Sequence, residues 1–132
     1  MTKSMLEQYE QVVGPGEIFQ LRQLAEAMRG ARVVHVNSTK EGGGVAEILH
    51  RLIPLQRELG LDAVWEVIAG EPDFYECTKN FHNALQGNKA DIPASLLEVF
   101  EETNRRNAES MRDILTGADY VFIHDPQPAP LL

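Results

Sequence analysis

The spacing of hydrophobic residues along the chain predicts strands that alternate with helices. Three short runs rich in β-branched and aromatic residues are typical of buried strands: RVVHV at 32–36, DAVWEVI at 62–68 and YVFI at 120–123. Apolar residues recur every three or four positions elsewhere and predict helices over 17–29, 45–59, 73–87 and 95–117. This order indicates an α/β fold, a Rossmann-like parallel sheet with flanking helices and right-handed crossovers.

Single residues predict where these helices begin, bend and end. Pro54 lacks an N–H group, so it is expected to kink or end the helix that begins near Val45. Ser95 and Glu98 have the spacing of a capping box, which predicts the start of the last helix. Gly117 is expected to end that helix.

Three consecutive glycines, Gly42, Gly43 and Gly44, follow the first predicted strand. In a parallel sheet this loop lies at the carboxyl edge, where open α/β sheets bind ligands. Glycines let backbone N–H groups approach a ligand, and the following helix adds its dipole. The loop is therefore interpreted as a seat for an anion or a sugar phosphate, with a tight turn that binds nothing as the alternative. The pattern is neither a dinucleotide fingerprint nor a P-loop.

The segment HDPQP, at 124–128, follows the third predicted strand. If the strand order is 2-1-3, this segment faces the glycine loop across one crevice. His124 and Asp125 are well suited to binding hydroxyl groups or a developing charge. The alternative for His124 is that it only caps the end of the strand.

A third polar group, Lys79, His82 and Asn83, lies on the helix predicted over 73–87. It is the weaker candidate, because a polar stripe on a helix is more often a solvated face. Cys77 falls on the apolar stripe of the same helix and is expected to be a buried structural thiol. The chain offers no cysteine and histidine set with zinc spacing, so no metal is predicted.

Composition narrows the classes of partner and of compartment. The formal net charge of −8 argues against nucleic acid and against an anionic membrane surface. The single cysteine and the lack of an apolar leader pattern favour a cytoplasmic location.

The chain is expected to be the first part of something larger. Residues 1–30 are interpreted as an N-terminal helical extension and residues 31–132 as a partial Rossmann-like domain. Three strands are few for this class, and the sequence ends shortly after the third. Because that strand is expected to lack its neighbours, self-association of the chain is predicted.

The stretches VHVNST, GGGVAEILH, FHNALQG and IHDPQPAPL resemble the N-terminal part of trehalose synthases of the glycosyl-transferring type. These enzymes are retaining glycosyltransferases of family 4 with the GT-B fold of two Rossmann-like domains. The resemblance implies an incomplete N-terminal, acceptor-side domain, with the nucleotide-sugar domain outside this chain. It also implies transfer of glucose from NDP-glucose to glucose, which forms trehalose reversibly and uses no cofactor.

The same resemblance implies roles for single residues. The three glycines match the loop that faces the donor phosphates and sugar, and His124 matches the histidine near the reacting sugar. Asp125 and Gln127 match the neighbouring polar positions and are expected to bind the acceptor. Lys79, His82 and Asn83 are further acceptor candidates, to which the resemblance itself gives no role.

Two other readings stay open at the level of sequence. One is a stand-alone sugar- or phosphate-binding or regulatory module without catalysis. The other is a small flavodoxin-like signalling domain, which is disfavoured because Asn37 and Ser38 stand where such domains carry acidic residues.

Overall fold

The computed structural model describes residues 3–132, which form a three-stranded parallel sheet with helices on both faces. The strands are β1 Arg32–Asn37, β2 Asp62–Val67 and β3 Tyr120–Ile123, in the order β2-β1-β3. The helices of this part of the chain are α1 Met5–Val13, α2 Pro15–Glu26, α3 Gly44–Glu58, α4 Pro72–Leu85, α5 Ala94–Ser110 and α6 Arg112–Thr116, followed by a 3₁₀ turn, Ala129–Leu131. The predicted α/β class, an incomplete Rossmann-like domain, is confirmed. No helix within residues 3–132 is long and apolar enough to cross a membrane.

The central strand β1 is buried along nearly its whole length. On one face of the sheet, Val34 and Val36 join a cluster that includes Phe74 of α4. On the other face, α3 packs Leu49 and Ile53 against β2. Because both faces are covered, the strand reads as a continuous apolar run and not as an alternating one.

Pro54 is expected from the sequence either to kink or to end the helix. It lies inside α3, so the prediction that it ends the helix is wrong. The helix continues to Glu58 because Leu49 and Ile53, on its inner face, are buried in the core. Pro54 itself is exposed, so its ring is on the solvent side. The backbone carbonyl that receives no N–H from Pro54 is on the same side of the helix.

The predicted capping box of the last long helix is also wrong. Pro93, with φ −57° and ψ 145°, is the N-cap of α5, and its carbonyl oxygen accepts from the N–H groups of Leu96 and Leu97. The helix therefore begins ahead of Ser95, which lies in the first turn and caps nothing. The helix predicted over 95–117 is divided at Met111, where α5 ends and α6 begins.

The buried face of α5 is more polar than its sequence pattern indicates. Thr103, Asn104 and Asn107 are buried, whereas Leu97 is 38% exposed. The Asn107 amide bonds both backbone groups of Ala69: its Oδ1 accepts from the N–H and its Nδ2 donates to the C=O, each at 2.8 Å. This pair ties the segment that follows β2 to α5.

The substitution Asn107→Asp is expected to lower the free energy of unfolding by about 2–3 kcal/mol. A carboxylate retains the acceptor but has no donor for the Ala69 carbonyl, which is then left without its partner. Urea unfolding followed by circular dichroism measures the change. Asn80→Asp, on α4, is the matched control, because the Asn80 amide bonds only a carbonyl of its own helix and should change stability by less than about 0.5 kcal/mol. Equal effects of the two substitutions would contradict the role given to Asn107.

The N-terminal region contains two helices. Ser4 and Glu7 form a capping box at the start of α1, and the Glu58 carboxylate accepts from the N–H groups of Met5 and Leu6 at 2.9 and 3.2 Å. Leu6 is fully buried. The extension is thus attached to the end of α3, while the boundary between residues 30 and 31 stays a prediction, as does self-association.

Candidate functional site

The strand order brings the glycine loop and the HDPQP segment to the same edge of the sheet, as predicted. Because β1 lies between β2 and β3, the loop after β1 is beside the turn after β3. A crevice of about 550 Å³ separates them. Its lining includes Gly42, Gly43, Gly44, His82, Asp125 and Gln127.

The glycine loop has a backbone that other residues adopt only at a cost. Gly42 and Gly43 have φ values of 74° and 84°, in the left-handed region. Gly43 is the N-cap of α3 and no side chain caps this helix, so the N–H groups of its first turn are left for solvent or a ligand. A Cβ atom built on any of the three glycines would meet no atom within 4 Å apart from its own chain neighbours and nearby helix backbone in the part of the chain that the structure describes. The loop thus presents open backbone to the crevice.

The residues just before the glycines are held by a set of local hydrogen bonds. The Asn37 amide donates to the Thr39 carbonyl at 2.6 Å, and the Thr39 hydroxyl donates to the Glu41 carbonyl at 2.7 Å. On the other side, His50 Nε2 donates to the Lys40 carbonyl at 2.8 Å. The chain is therefore fixed up to Glu41.

Asp125 is the one non-glycine residue among residues 3–132 with a positive φ, 69°. An L-residue in this region is strained, and a following proline disfavours helical backbone further. Such strain is found at functional sites more often than elsewhere. The exposed carboxylate of Asp125 lines the crevice, where it is available to a polar ligand.

Gln127 lines the same crevice, but its side-chain oxygen is buried. This Oε1 atom has no partner in the part of the chain that the structure describes. The neighbouring Asn104 has a similar unused Oδ1, while its Nδ2 donates to the Gln127 carbonyl at 3.0 Å. A buried acceptor without a donor is unfavourable, so these two oxygens suit a buried water molecule.

His124 directly follows β3 and is half-buried, next to Asp125 but not itself among the residues that line the crevice. Its Nε2 atom lies 3.0 Å from Nδ1 of His35, and its backbone N–H donates to the Val36 carbonyl at 2.9 Å. Burial lowers the pKa of His124, partly offset by the charge of Asp125. Burial also lowers the pKa of His35. Both rings are therefore expected to be neutral near pH 7.

The three polar candidates on α4 are divided by the structure. His82 lines the crevice, and its Nε2 atom is 2.9 Å from the amide nitrogen of Gln86. Lys79 is exposed and Asn83 half-buried, and neither is among the crevice residues. Of this group only His82 is close to the glycine loop and to the turn after β3.

Sequence reasoning missed His35, which it treated as one position of an apolar strand. The available signal was a polar residue inside a β-branched run, at the centre of the sheet. A second cavity, of about 640 Å³, was also not predicted. It shares Ser38 and Thr39 with the crevice, and its lining includes the positively charged residues Lys40 and Arg106.

Comparison with known proteins gives one consistent result. The family model described as trehalose synthase, N-terminal domain, matches residues 35–132. The chain is 49% identical over 128 residues to a trehalose synthase of Thermococcus litoralis. This alignment covers 96% of the present chain and 31% of the relative. The chain is 47% identical over 110 residues to a trehalose synthase of Rubrobacter xylanophilus, which covers 83% and 26%. It is 34% identical over 137 residues to a trehalose phosphorylase of Pleurotus pulmonarius, which covers 96% and 18%. The chain thus spans about a third of the length of the trehalose synthases that it matches.

Proposed function

Because the chain belongs to the trehalose synthase family, of which it matches the N-terminal domain, we propose that it forms the acceptor side of a retaining glycosyltransferase. The reaction transfers glucose from NDP-glucose to glucose and forms trehalose reversibly. The observation that carries this proposal is the single crevice in which an open glycine loop faces the polar turn after β3. A nucleotide-sugar domain, supplied outside residues 1–132, closes over this crevice.

The glycine loop faces the donor. When the glycosidic bond of NDP-glucose breaks, negative charge develops on the leaving diphosphate. The uncapped N-terminus of α3 offers N–H groups and the positive end of a helix dipole to that charge. Groups oriented in advance toward a developing charge stabilise the transition state more than the ground state.

The turn after β3 faces the sugars. The carboxylate of Asp125 accepts hydrogen bonds from hydroxyl groups of the acceptor glucose, and Gln127 and His82, which line the same crevice, also contact this sugar. His124 acts on the transferred glucose, whose ring gains oxocarbenium character. The nucleotide-sugar substrate and the single, buried cysteine fit a cytoplasmic enzyme.

The substitution Gly44→Ala separates a donor seat from a plain turn. Gly44 is the first residue of α3, its φ is not in the left-handed region, and its Cβ position is empty, so alanine should leave the fold intact or stabilise it. If the backbone contacts the donor, the added methyl group should raise the KM for NDP-glucose about tenfold or more. Gly16→Ala, in the first turn of α2 and with equally open space, is the matched control. An unchanged KM for NDP-glucose in Gly44→Ala would mean that the loop is only a turn and does not contact the donor.

The reaction itself is tested with the complete enzyme. Glucose is supplied together with UDP-glucose, ADP-glucose or GDP-glucose, and the α,α linkage of the product is identified by NMR. Trehalose formation from at least one donor supports the proposal. Trehalose formed only from glucose 1-phosphate would instead indicate a phosphorylase, the activity named for the Pleurotus relative. Glucose binding without turnover of any donor would favour the non-catalytic binding module.

A further inference from the structure

Side chains of β1, of α3 and of the residue after β3 form a continuous hydrogen-bonded chain. His35 of β1 is buried to 1% exposure at the centre of the sheet. Its Nε2 atom is 3.0 Å from Oε1 of Gln56, on α3. Its Nδ1 atom is 3.0 Å from Nε2 of His124, after β3. Each nitrogen of the buried ring therefore has one partner, and the two partners are of different kinds.

The chemistry of these partners gives the chain a direction. The Gln56 oxygen can only accept, so Nε2 of His35 must carry a proton. In a neutral ring, Nδ1 of His35 is then an acceptor, and His124 must donate to it from Nε2. A neutral His124 consequently has its lone pair on Nδ1. That atom makes no hydrogen bond within residues 3–132.

Besides the hydrogen bonds, packing against a neighbouring aromatic ring holds the histidine rings in place. Phe122 is the register partner of His35 on β3, and its ring stacks on His35 with centroids 4.9 Å apart and an interplanar angle of 11°. The His124 ring is within 14° of the plane of His35. His124 follows β3, two positions after Phe122, and both rings lie against His35, which is on the face of the sheet that α3 covers.

We propose that His35 and Gln56 are positioning residues that fix the tautomer of His124. In this tautomer the Nδ1 atom of His124 carries the lone pair that accepts a hydrogen bond from a hydroxyl group of the sugar. This inference rests on the proposed function for its ligand, a sugar hydroxyl, but not for the tautomer. The neighbouring carboxylate of Asp125 acts on His124 through its charge, and Gln56 is uncharged. The direction of the chain is therefore stable as long as both rings are neutral.

The tautomer is measured on protein labelled with ¹⁵N-histidine, by long-range ¹H–¹⁵N correlation at a pH above both histidine pKa values. The expected result is an unprotonated Nδ1 and a protonated Nε2 on both His35 and His124. Gln56→Met keeps the length of the side chain but removes the acceptor, and it should shift both rings toward a mixture of tautomers. Gln56→Glu keeps the acceptor and adds a charge, so it should preserve the tautomers and raise the pKa of His35. A proton on Nδ1 of His35, or rings that do not respond to Gln56→Met, would overturn the proposal.

A pair of His35 variants provides the kinetic readout in the complete enzyme. Asparagine can place its Oδ1 atom near the position of Nδ1, so His35→Asn retains an acceptor for His124. His35→Leu fills the site without one and should lower kcat about tenfold, as for one lost hydrogen bond, with the KM for NDP-glucose little changed. His35→Asn should recover most of this loss. Equal losses in both variants, at matched melting temperatures, would contradict positioning by His35. An inactive parent enzyme with the expected tautomers would instead contradict the proposed function alone.

Discussion

Replacing His124 by alanine in the complete enzyme is expected to lower kcat by about 10²–10³, the loss typical of one polar group that acts at the transition state. The ring is at the end of a short, rigid strand and is held on one side by His35. Positive character that develops on the transferred glucose strengthens the bond from its hydroxyl group to the free ring nitrogen. The initial rate of trehalose formation at saturating substrates measures the effect.

A structural contribution of His124 must be separated from this chemical one. Truncation also leaves Nδ1 of the buried His35 without its donor, at a cost of about 1–3 kcal/mol in stability. Two conservative variants divide the roles. His124→Gln places an amide near Nε2 and can still donate to His35, whereas His124→Asn places an oxygen near Nδ1 and can still accept from a sugar. Recovery of turnover by glutamine and not by asparagine would mean that His124 only supports the strand end.

The substitution Asp125→Ala is expected to raise the KM for acceptor glucose about 10- to 100-fold, with a smaller change in kcat. A charged hydrogen bond to a hydroxyl group contributes about 1.5–3 kcal/mol, which corresponds to this range. Initial rates at varied glucose and fixed NDP-glucose provide the measurement.

Backbone strain at this position requires its own control. With φ at 69°, alanine also loses about 1–2 kcal/mol in the left-handed conformation, whereas asparagine tolerates that conformation well. Asp125→Asn should therefore keep the wild-type melting temperature and lose only the part of acceptor binding that depends on charge. A wild-type KM for glucose in both variants would exclude Asp125 from the acceptor site.

The sequence was sufficient to predict the sheet and the location of the crevice. Three β-branched runs separated by helical patterns leave few topologies, and the 2-1-3 order places the loop after β1 beside the turn after β3. The strain at Asp125 was not foreseeable, because backbone angles depend on how Pro126 and the 3₁₀ turn fit against α5.

The features that sequence reasoning missed depend on contacts between distant segments. Besides its local capping box, the start of α1 bonds the carboxylate of Glu58, more than fifty residues away, and no local pattern carries information on that second contact. The polar buried face of α5 exists because Asn107 bonds the backbone of Ala69. The pairing of His35 with His124 depends on the register of β1 and β3. In this register His35 is opposite Phe122, and His124 is two positions after Phe122 on the same face of the sheet.

The hydrogen bonds that fix the chain up to Glu41 have a consequence for the entropy of binding. Ordering the backbone of one residue costs about 1–2 kcal/mol. A loop that was free from Ser38 to Gly43 would lose about 6–12 kcal/mol on this basis when a donor immobilised it. Here the bonds among Asn37, Thr39, Glu41 and His50 are formed by the protein alone, so only Gly42 and Gly43 remain to be ordered. Most of the entropic penalty is thus met during folding, and the flexibility that glycine provides is confined to the two residues that precede α3.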